Sequence, residues 1–79
     1  MHYVYQLLSI EHLNQKYTGF TSDVSKRLDV HNSGQVPHTS KYKPWKLLNY
    51  FAFSDEQKAR EFEVYLKSGS GRAFAKKHF

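Results

Sequence analysis

The chain has 79 residues and a mass of 9.3 kDa, which suits one small domain and excludes a barrel enzyme or a dinucleotide-binding fold. It contains no cysteine, so we expect neither disulfide bonds, including a disulfide-linked partner, nor thiolate metal sites. The mean hydropathy is −0.73 and no apolar run approaches the ~20 residues of a membrane span, so we expect no membrane partner. The first residues lack the basic segment of a signal peptide. These features predict a single cytoplasmic domain over residues 1–79.

The charge is unevenly distributed along the chain. The formal net charge is +5 and the isoelectric point is about 9.6. Acidic and basic residues balance over residues 1–40, so the whole excess lies in residues 41–79. A basic surface on one side of a protein favours binding to a polyanion, usually a nucleic acid. The alternative is a soluble basic protein with scattered, solvated lysines.

The first part of the chain predicts two strands joined as a hairpin. Residues 2–9 begin with aromatic and β-branched side chains, which favour a strand. Residues 11–15 are a polar connection, and residues 16–20 form a second short strand. Strands joined by so short a connection most simply form an antiparallel pair. Gly19 inside the second strand indicates a bulge or the close approach of another group.

A helix, a loop and a third strand are predicted next. Thr21 or Ser22 is positioned to cap a helix that runs to about His31. Residues 33–43 are rich in Ser, Thr, Pro and Lys, which predicts a loop. Residues 44–53 contain several large apolar side chains and predict the third strand.

Two helices complete the predicted fold. Ser54 followed three positions later by Gln57 is typical of a capping box at the start of a helix. That helix has an apolar stripe that we expect to be buried, formed by Ala59, Phe62 and Leu66. Ser70 is positioned to cap a last short helix over residues 71–78. The predicted order is ββαβαα, an α+β fold with a small three-stranded antiparallel sheet flanked by helices.

Glu63 does not fit a purely structural role. It lies on or beside the apolar stripe of the predicted helix, next to Phe62. Burying a charge without a partner costs several kcal/mol, so we expect a basic side chain or a metal ion beside this carboxylate. The alternative is a glutamate at the edge of the stripe whose carboxylate reaches solvent.

Arg27 and His31 form a second group of polar residues, and their side chains are suited to catalysis. They lie one helical turn apart and share a face with Asp23. A cation and a titratable imidazole on one face are able to bind a phosphate and to move a proton. The alternative is a solvated face that carries an ion pair between Asp23 and Arg27.

Three tyrosines lie on the two predicted N-terminal strands. Tyr3 and Tyr5 point to the same face of the first strand, and Tyr17 lies on its neighbour. Such a face usually serves as an aromatic core. A phenol is also able to donate or accept a hydrogen bond and, when its pKa is lowered, to act as a base.

The chain resembles the GIY-YIG nuclease family over essentially its whole length. The resemblance rests on an ordered set of residues: Tyr3-Val4-Tyr5, Tyr17-Thr18-Gly19, Arg27, His31 and Glu63. Small single-domain bacterial members are similar in residues 28–34, 41–48 and 66–72. The first motif has Tyr3-Val4 where the family name has Gly-Ile, and the second has Thr18 in place of Ile. Larger members also carry an Asn on the last helix, where this chain has Ala73, Phe74 and Ala75.

The resemblance implies a metal-dependent nuclease that cleaves one DNA strand per site. By position, Tyr5 ends the first motif, Tyr17 begins the second, and Glu63 is the sole carboxylate that binds the metal. Arg27 matches the family arginine, and His31 matches a position that usually holds His or Tyr. The expected cofactor is one divalent cation, Mg²⁺ or Mn²⁺. The expected catalytic residues are therefore Tyr5, Tyr17, Arg27, His31 and Glu63.

Phosphodiester hydrolysis is consistent with these residue types. Arg27 is able to hydrogen-bond the phosphate oxygens, and a single carboxylate suits Mg²⁺, which keeps most of its water shell. The phenolate of Tyr5 or of Tyr17 could take the proton of the attacking water. His31 would either accept that proton in turn or lower the pKa of the phenol. The sequence leaves the choice between the two tyrosines open.

DNA is the expected partner, held through its backbone. The basic residues expected to bind it are Lys41, Lys43, Lys46, Arg72, Lys76 and Lys77. A domain of this size has little room for base recognition, so we expect sequence-independent or structure-selective cleavage. The alternative is a non-catalytic nucleic-acid-binding module that keeps the nuclease fold. A protein-interaction domain is a third hypothesis, which would require an exposed apolar patch.

Overall fold

A computed structural model describes residues 1–78 of the chain. Within this range the chain forms three strands and four helices: β1 His2–Ser9, β2 Lys16–Thr21, α1 Val24–Asn32, α2 Pro37–Ser40, β3 Trp45–Phe53, α3 Glu56–Lys67 and α4 Gly69–His78. The predicted α+β class and the three-stranded antiparallel sheet are confirmed. The observed order is ββααβαα, because the short helix α2 was not predicted. No helix within residues 1–78 is both long and apolar enough to cross a membrane.

β1 is the central strand of the sheet. The strand order is β2-β1-β3, and β1 pairs antiparallel with both neighbours. The β1–β3 pairing shifts its register between Gln6 and Leu7, which marks a β-bulge in this pair. Residues 4–7 are all buried, because helices cover both faces of the central strand. The pairing of β1 with β2 is regular, so the bulge that was one of two predictions for Gly19 is absent. The other prediction, the close approach of another group, is correct, because Tyr5 lies against this glycine.

The two faces of the sheet carry separate hydrophobic clusters. On one face, Val4 packs with Ala59 and Leu66 of α3, and Phe62 joins them. This arrangement confirms the predicted apolar stripe of α3. The opposite face is built around Tyr5, Leu7 and Trp45, with α1 contributing Val24 and Leu28. Because side chains alternate along a strand, Tyr5 projects toward α1 and away from the α3 cluster.

The helix caps differ from the predicted ones by one or two residues. Asp23, rather than Thr21 or Ser22, caps α1, and its carboxylate accepts a hydrogen bond from the Lys26 amide at 3.0 Å. Asp55, rather than Ser54, caps α3 and accepts from the amides of residues 57 and 58. An aspartate satisfies the free amides as serine does and adds a negative charge at the positive end of the helix dipole.

Two further helix boundaries correct the sequence-based prediction. Residues 33–43 are not entirely loop, because Pro37 starts the one-turn helix α2 at a position where its fixed φ is favourable. α4 begins at Gly69 rather than at residue 71, and Ser68 Oγ, not Ser70, accepts from the Gly71 amide at 3.1 Å. A Cβ at Gly71 would collide with the Tyr65 carbonyl, so this glycine lets α4 turn closely against α3.

Candidate active site

Tyr5 lies at the centre of the candidate site because its ring passes beneath the neighbouring strand. Its Cα is paired with that of Gly19 in β2. A Cβ at Gly19 would collide with the Tyr5 hydroxyl and would lie 2.9 Å from the ring of Tyr17. A glycine at this position therefore gives the phenol room to extend past β2.

His31, at the end of α1, connects Tyr5 to the short helix α2. The imidazole is fully buried and each of its ring nitrogens has a partner. Nε2 lies 2.8 Å from the Tyr5 hydroxyl, and Nδ1 lies 2.9 Å from the hydroxyl of Thr39, which is also buried. At the other end, Arg27 Nε donates to the Tyr5 hydroxyl at 3.4 Å.

One tautomer of His31 gives every member of this hydrogen-bond chain a partner. The Arg27 guanidinium can only donate, so Tyr5 accepts from it, and the Tyr5 hydroxyl is then able to donate to Nε2 of His31. In this tautomer the imidazole carries its proton on Nδ1 and donates to Thr39. The Thr39 hydroxyl in turn donates to the Val36 carbonyl at 3.4 Å. With His31 protonated on Nδ1, every side-chain group in the chain has a partner.

Burial keeps both titratable members of the chain neutral. It raises the pKa of the Tyr5 phenol above its ordinary value of 10.0, while the hydrogen bond and charge of Arg27 oppose this and the charges of Tyr17 and Glu63 reinforce it. It also lowers the pKa of the His31 imidazole below 6.5, and the positive charge of Arg27 acts in the same direction. The ionised form of Tyr5 is thus disfavoured. The alternative that the geometry supports is transfer of the phenol proton to His31.

The other two tyrosines occupy different positions. The Tyr17 ring lies 4.9 Å from that of His31 and 6.2 Å from that of Tyr5, measured between centroids, so Tyr17 belongs to the same cluster. Tyr3 shares the face of Tyr5 but packs edge-on against Tyr50 at 5.8 Å. Of these three tyrosines, Tyr5 and Tyr17 are therefore the two next to the imidazole.

Glu63 has a basic partner, which was one of the two partners expected for a carboxylate beside the apolar stripe of α3. Its side chain is 18% exposed, and Oε2 lies 3.0 Å from Nζ of Lys67, one turn further along the helix. The carboxylate is also near enough to the Tyr5 phenol for its charge to raise that pKa. α3 packs on the face of the sheet opposite the Tyr5 ring, and no hydrogen bond within residues 1–78 joins Glu63 to Tyr5.

One tryptophan holds the helices that carry the imidazole and its hydroxyl partner. The backbone amide of Trp45 donates to Asn32 Oδ1 at 2.6 Å, and its carbonyl accepts from Asn32 Nδ2 at 3.1 Å. The indole nitrogen donates to the Thr39 carbonyl at 3.0 Å. The end of α1 and the whole of α2 are therefore fixed to the start of β3 at a single residue.

A lone carboxylate fits a divalent cation that keeps most of its water ligands. Within residues 1–78, no three His, Asp or Glu side chains are grouped as a metal cluster. Mg²⁺ is commonly held by one or two carboxylates and several waters. The Glu63 carboxylate pairs with the ammonium group of Lys67, which a bound cation would have to displace. The chemistry of a single carboxylate is compatible with Mg²⁺ or Mn²⁺ held mainly by water.

A groove of about 910 Å³ is lined by residues of all three strands, of the β1–β2 connection, and of α2, α3 and α4. Of the six basic residues predicted to bind DNA, Arg72 and Lys76 line it. The others that the structure places are Lys46 on β3, Lys77 on α4, Lys43 beside Gly34, and Lys41 above the Tyr42 ring at 5.3 Å. Lys16 and Lys67 also line the groove, and the sequence analysis missed both.

Thr39 and Lys67 bond directly to predicted catalytic side chains, and sequence reasoning missed both. The four-residue spacing from Glu63 to Lys67 was a sufficient signal for an ion pair on one helix. No comparable signal pointed to Thr39, because its contact with His31 depends on how the segment after α1 folds back.

The fold and the sequence profile of the chain identify its class of domain. The sequence profile of the GIY-YIG catalytic domain matches residues 1–77. The chain therefore belongs to the GIY-YIG family.

Similar proteins carry the name UPF0213. One from Streptococcus agalactiae is 40% identical over 58 residues, which cover 72% of this chain and 66% of the relative. One from Streptococcus pyogenes is 36% identical over 58 residues, covering 72% and 63%. The chain thus matches slightly less than two-thirds of the length of these relatives. The solution NMR structure of a UPF0213 protein from Bacillus halodurans has a TM-score of 0.57 and 33% identity, and it covers 95% of this chain and 79% of that one.

Proposed function

We propose that this domain is a divalent-metal-dependent endonuclease that hydrolyses DNA phosphodiester bonds without sequence preference or with a preference for DNA structure. The observation that supports this most strongly is the ordered hydrogen-bond chain from Arg27 through Tyr5 and His31 to Thr39. A purely structural role does not require an aligned series of proton donors that begins at a cation and ends at a backbone carbonyl.

Tyr5 is our candidate for the group that receives the proton of the attacking water. The phenol oxygen takes that proton while its own proton moves to Nε2 of His31, 2.8 Å away. This exchange leaves Tyr5 neutral throughout, in keeping with its raised pKa. The lowered pKa of His31 then favours release of the additional proton and return to the starting state. Tyr17 remains the alternative acceptor, since its ring contacts the same imidazole.

Arg27 and Glu63 supply the charges that a phosphodiester needs. Within residues 1–78, Nε makes the one side-chain hydrogen bond of Arg27, which leaves the terminal nitrogens of its fork for two phosphate oxygens. Glu63 would hold the divalent cation, which when bound supplies Lewis-acid stabilisation of the leaving oxygen.

The test is cleavage of nicked, flapped and plain duplex DNA with and without Mn²⁺. We expect metal-dependent strand cleavage that Glu63→Gln abolishes, because the amide removes the anionic metal ligand at nearly constant shape. Glu61→Gln is the matched control, since Glu61 is an exposed residue of the same helix. DNA binding should survive in the Glu63 variant. Equal cleavage by the two variants would contradict the assignment of Glu63.

A second candidate function is a nucleic-acid-binding module without catalysis. The ion pair between Glu63 and Lys67 favours it, because the carboxylate is neutralised without a metal. Binding of every DNA substrate with no cleavage at any Mn²⁺ concentration would select this alternative.

A further inference from the structure

The outer edge of β3 has no neighbouring strand. The strand order β2-β1-β3 places β3 at one edge of the sheet, and within residues 1–78 only β1 pairs with it. Asn32 covers the start of this edge, because its side-chain amide bonds both the backbone amide and the carbonyl of Trp45. The edge of a strand presents amides and carbonyls that are able to pair with another chain.

Backbone hydrogen bonds show which neighbour each residue of β1 faces. Ser9 is aligned with Trp45, yet its amide bonds the Gln15 carbonyl on the β2 side at 3.0 Å. Backbone groups alternate between the two sides along an antiparallel ladder. Tyr5 and Tyr3 lie an even number of residues before Ser9, so their amides and carbonyls also face β2.

The partners of these two tyrosines on β3 therefore direct their backbone groups outward. Tyr5 is aligned with Tyr50 and Tyr3 with Ala52, both beyond the β-bulge. Both β3 residues are exposed, Tyr50 by 54%. The end of β3, residues 49–53, is thus a regular segment whose outward amides and carbonyls belong to Tyr50 and Ala52.

The charges at the two edges of the sheet differ. The groove that β2 helps to line contains the cations Lys16, Lys67, Arg72 and Lys76. β3 carries one charge, Lys46 near its start, and is followed by Asp55 and Glu56. An antiparallel second copy would bring the basic start of one β3 beside the acidic end of the other, whereas a parallel copy would place like charges together. The charges therefore favour antiparallel pairing of β3 with itself.

We propose that β3 pairs antiparallel with β3 of a second copy of this chain, around a two-fold axis at residue 51. In this register Tyr50 of each copy lies opposite Ala52 of the other, so the outward amides and carbonyls bond one another. The small Ala52 side chain leaves room for the Tyr50 ring on the same face. The register also brings Lys46 toward Glu56 of the second copy.

A recess beside this edge provides apolar surface for the same contact. It has a volume of about 360 Å³, and β3 contributes Leu47 and Tyr50 to its lining. Tyr3 of β1 and the α1 residues Val24 and Leu28 complete its apolar part. The Tyr50 ring of the second copy would stand next to this recess. Burial of exposed aromatic and aliphatic surface would supply stabilisation that backbone hydrogen bonds, exchanged for bonds to water, contribute only modestly.

The pairing would join two three-stranded sheets into one of six strands. Each β2 would remain at an outer edge of that sheet, so Gly19 and Tyr17 on β2, which adjoin the candidate catalytic phenol, would stay accessible from outside. The pairing does not depend on nuclease activity. Failure of either proposal would therefore leave the other intact.

The test is sedimentation equilibrium of the full chain over roughly 10 μM to 1 mM. We expect a monomer–dimer equilibrium in the wild-type protein. In Ala52→Lys the dissociation constant should rise roughly tenfold or more, because a lysine on an edge strand opposes pairing. Val64→Lys is the matched control, since it adds the same charge at a 68% exposed apolar residue of α3 and should dimerise as the wild type does. A monomer at every concentration, or equal weakening in both variants, would overturn the proposal.

Amide hydrogen exchange of the wild-type protein needs no substitution and so does not depend on how a variant folds. At high protein concentration the amides of Tyr50 and Ala52 should exchange more slowly than at low concentration. By the same alternation, the amides of Thr18 and Phe20 face the outer side of β2 and should exchange at one rate throughout. Exchange at Tyr50 and Ala52 that does not change with concentration would overturn the proposed pairing.

Discussion

Replacing Thr39 with valine removes one buried hydroxyl and tests the hydrogen-bond chain at its far end. Valine keeps the branched shape, so the main loss is the acceptor of the His31 Nδ1 proton. The Val36 carbonyl keeps its bonds from the amides of Thr39 and Ser40, at 3.1 and 3.0 Å. The unpaired group that remains is therefore the imidazole.

The structure sets the expected size of the effect. A buried donor without an acceptor costs about 1–3 kcal/mol, and each kcal/mol lowers the melting temperature of a domain this small by roughly 4–8 °C. The imidazole can relieve the loss by moving its proton to Nε2, where it would donate to Tyr5. In that tautomer His31 no longer accepts the phenol proton, and losing such a proton-transfer path typically slows a reaction by about 10²- to 10⁴-fold.

Thermal unfolding and a pH profile of the cleavage rate measure both effects. Thr39→Ser is the control, because it restores the hydroxyl and should recover most of the rate. A valine variant with the melting temperature and the pH profile of the wild-type protein would refute the role of Thr39. A lower melting temperature with an unchanged pH profile would restrict that role to stability.

Three further predictions follow from the same site. Gly19→Ala places a methyl group against the Tyr5 hydroxyl, so urea denaturation should show a loss of about 1–3 kcal/mol in the free energy of unfolding. Cleavage should cease as well. An unchanged denaturation midpoint would contradict the close approach of Tyr5 to Gly19. Folding lowers the pKa of His31, so the neutral imidazole should make its full contribution to the free energy of unfolding above pH 6.5. That contribution should be lost as the pH falls through the pKa of the folded state. His31→Gln should flatten that part of the pH–stability curve. Lys67→Gln removes a cation that competes for Glu63, so calorimetry should show about twofold tighter Mn²⁺ binding, and weaker binding would contradict the competition.

Much of the fold was predictable because local patterns and tertiary packing agree. The strand at residues 2–9 and the buried stripe of α3 follow from side-chain chemistry that the folded protein also uses. The caps were misplaced because Asp23 and Asp55 each follow a serine that is equally able to cap a helix. α2 was missed because four residues are too few for a periodic signal.

The candidate site was only partly predictable, since long-range contacts decide which roles its residues take. The local alternative for Arg27 was an ion pair with Asp23 on a solvated face. In the structure the Asp23 carboxylate caps α1 and Arg27 turns to Tyr5. A buried phenol with a raised pKa was equally beyond local reasoning, because it depends on the ring passing beneath Gly19.

Trp45 gives the domain a built-in optical reporter. It is the one tryptophan of the chain, it is buried, and its indole nitrogen holds the carbonyl of Thr39. Its fluorescence emission therefore reports on the contact between α2 and β3, separately from the aromatic rings on the other face of the sheet. A red shift of the emission that precedes global unfolding would show that α2 detaches first. Steady-state fluorescence of the unmodified protein is then sufficient to follow whether DNA or metal tightens the segment that supports the imidazole.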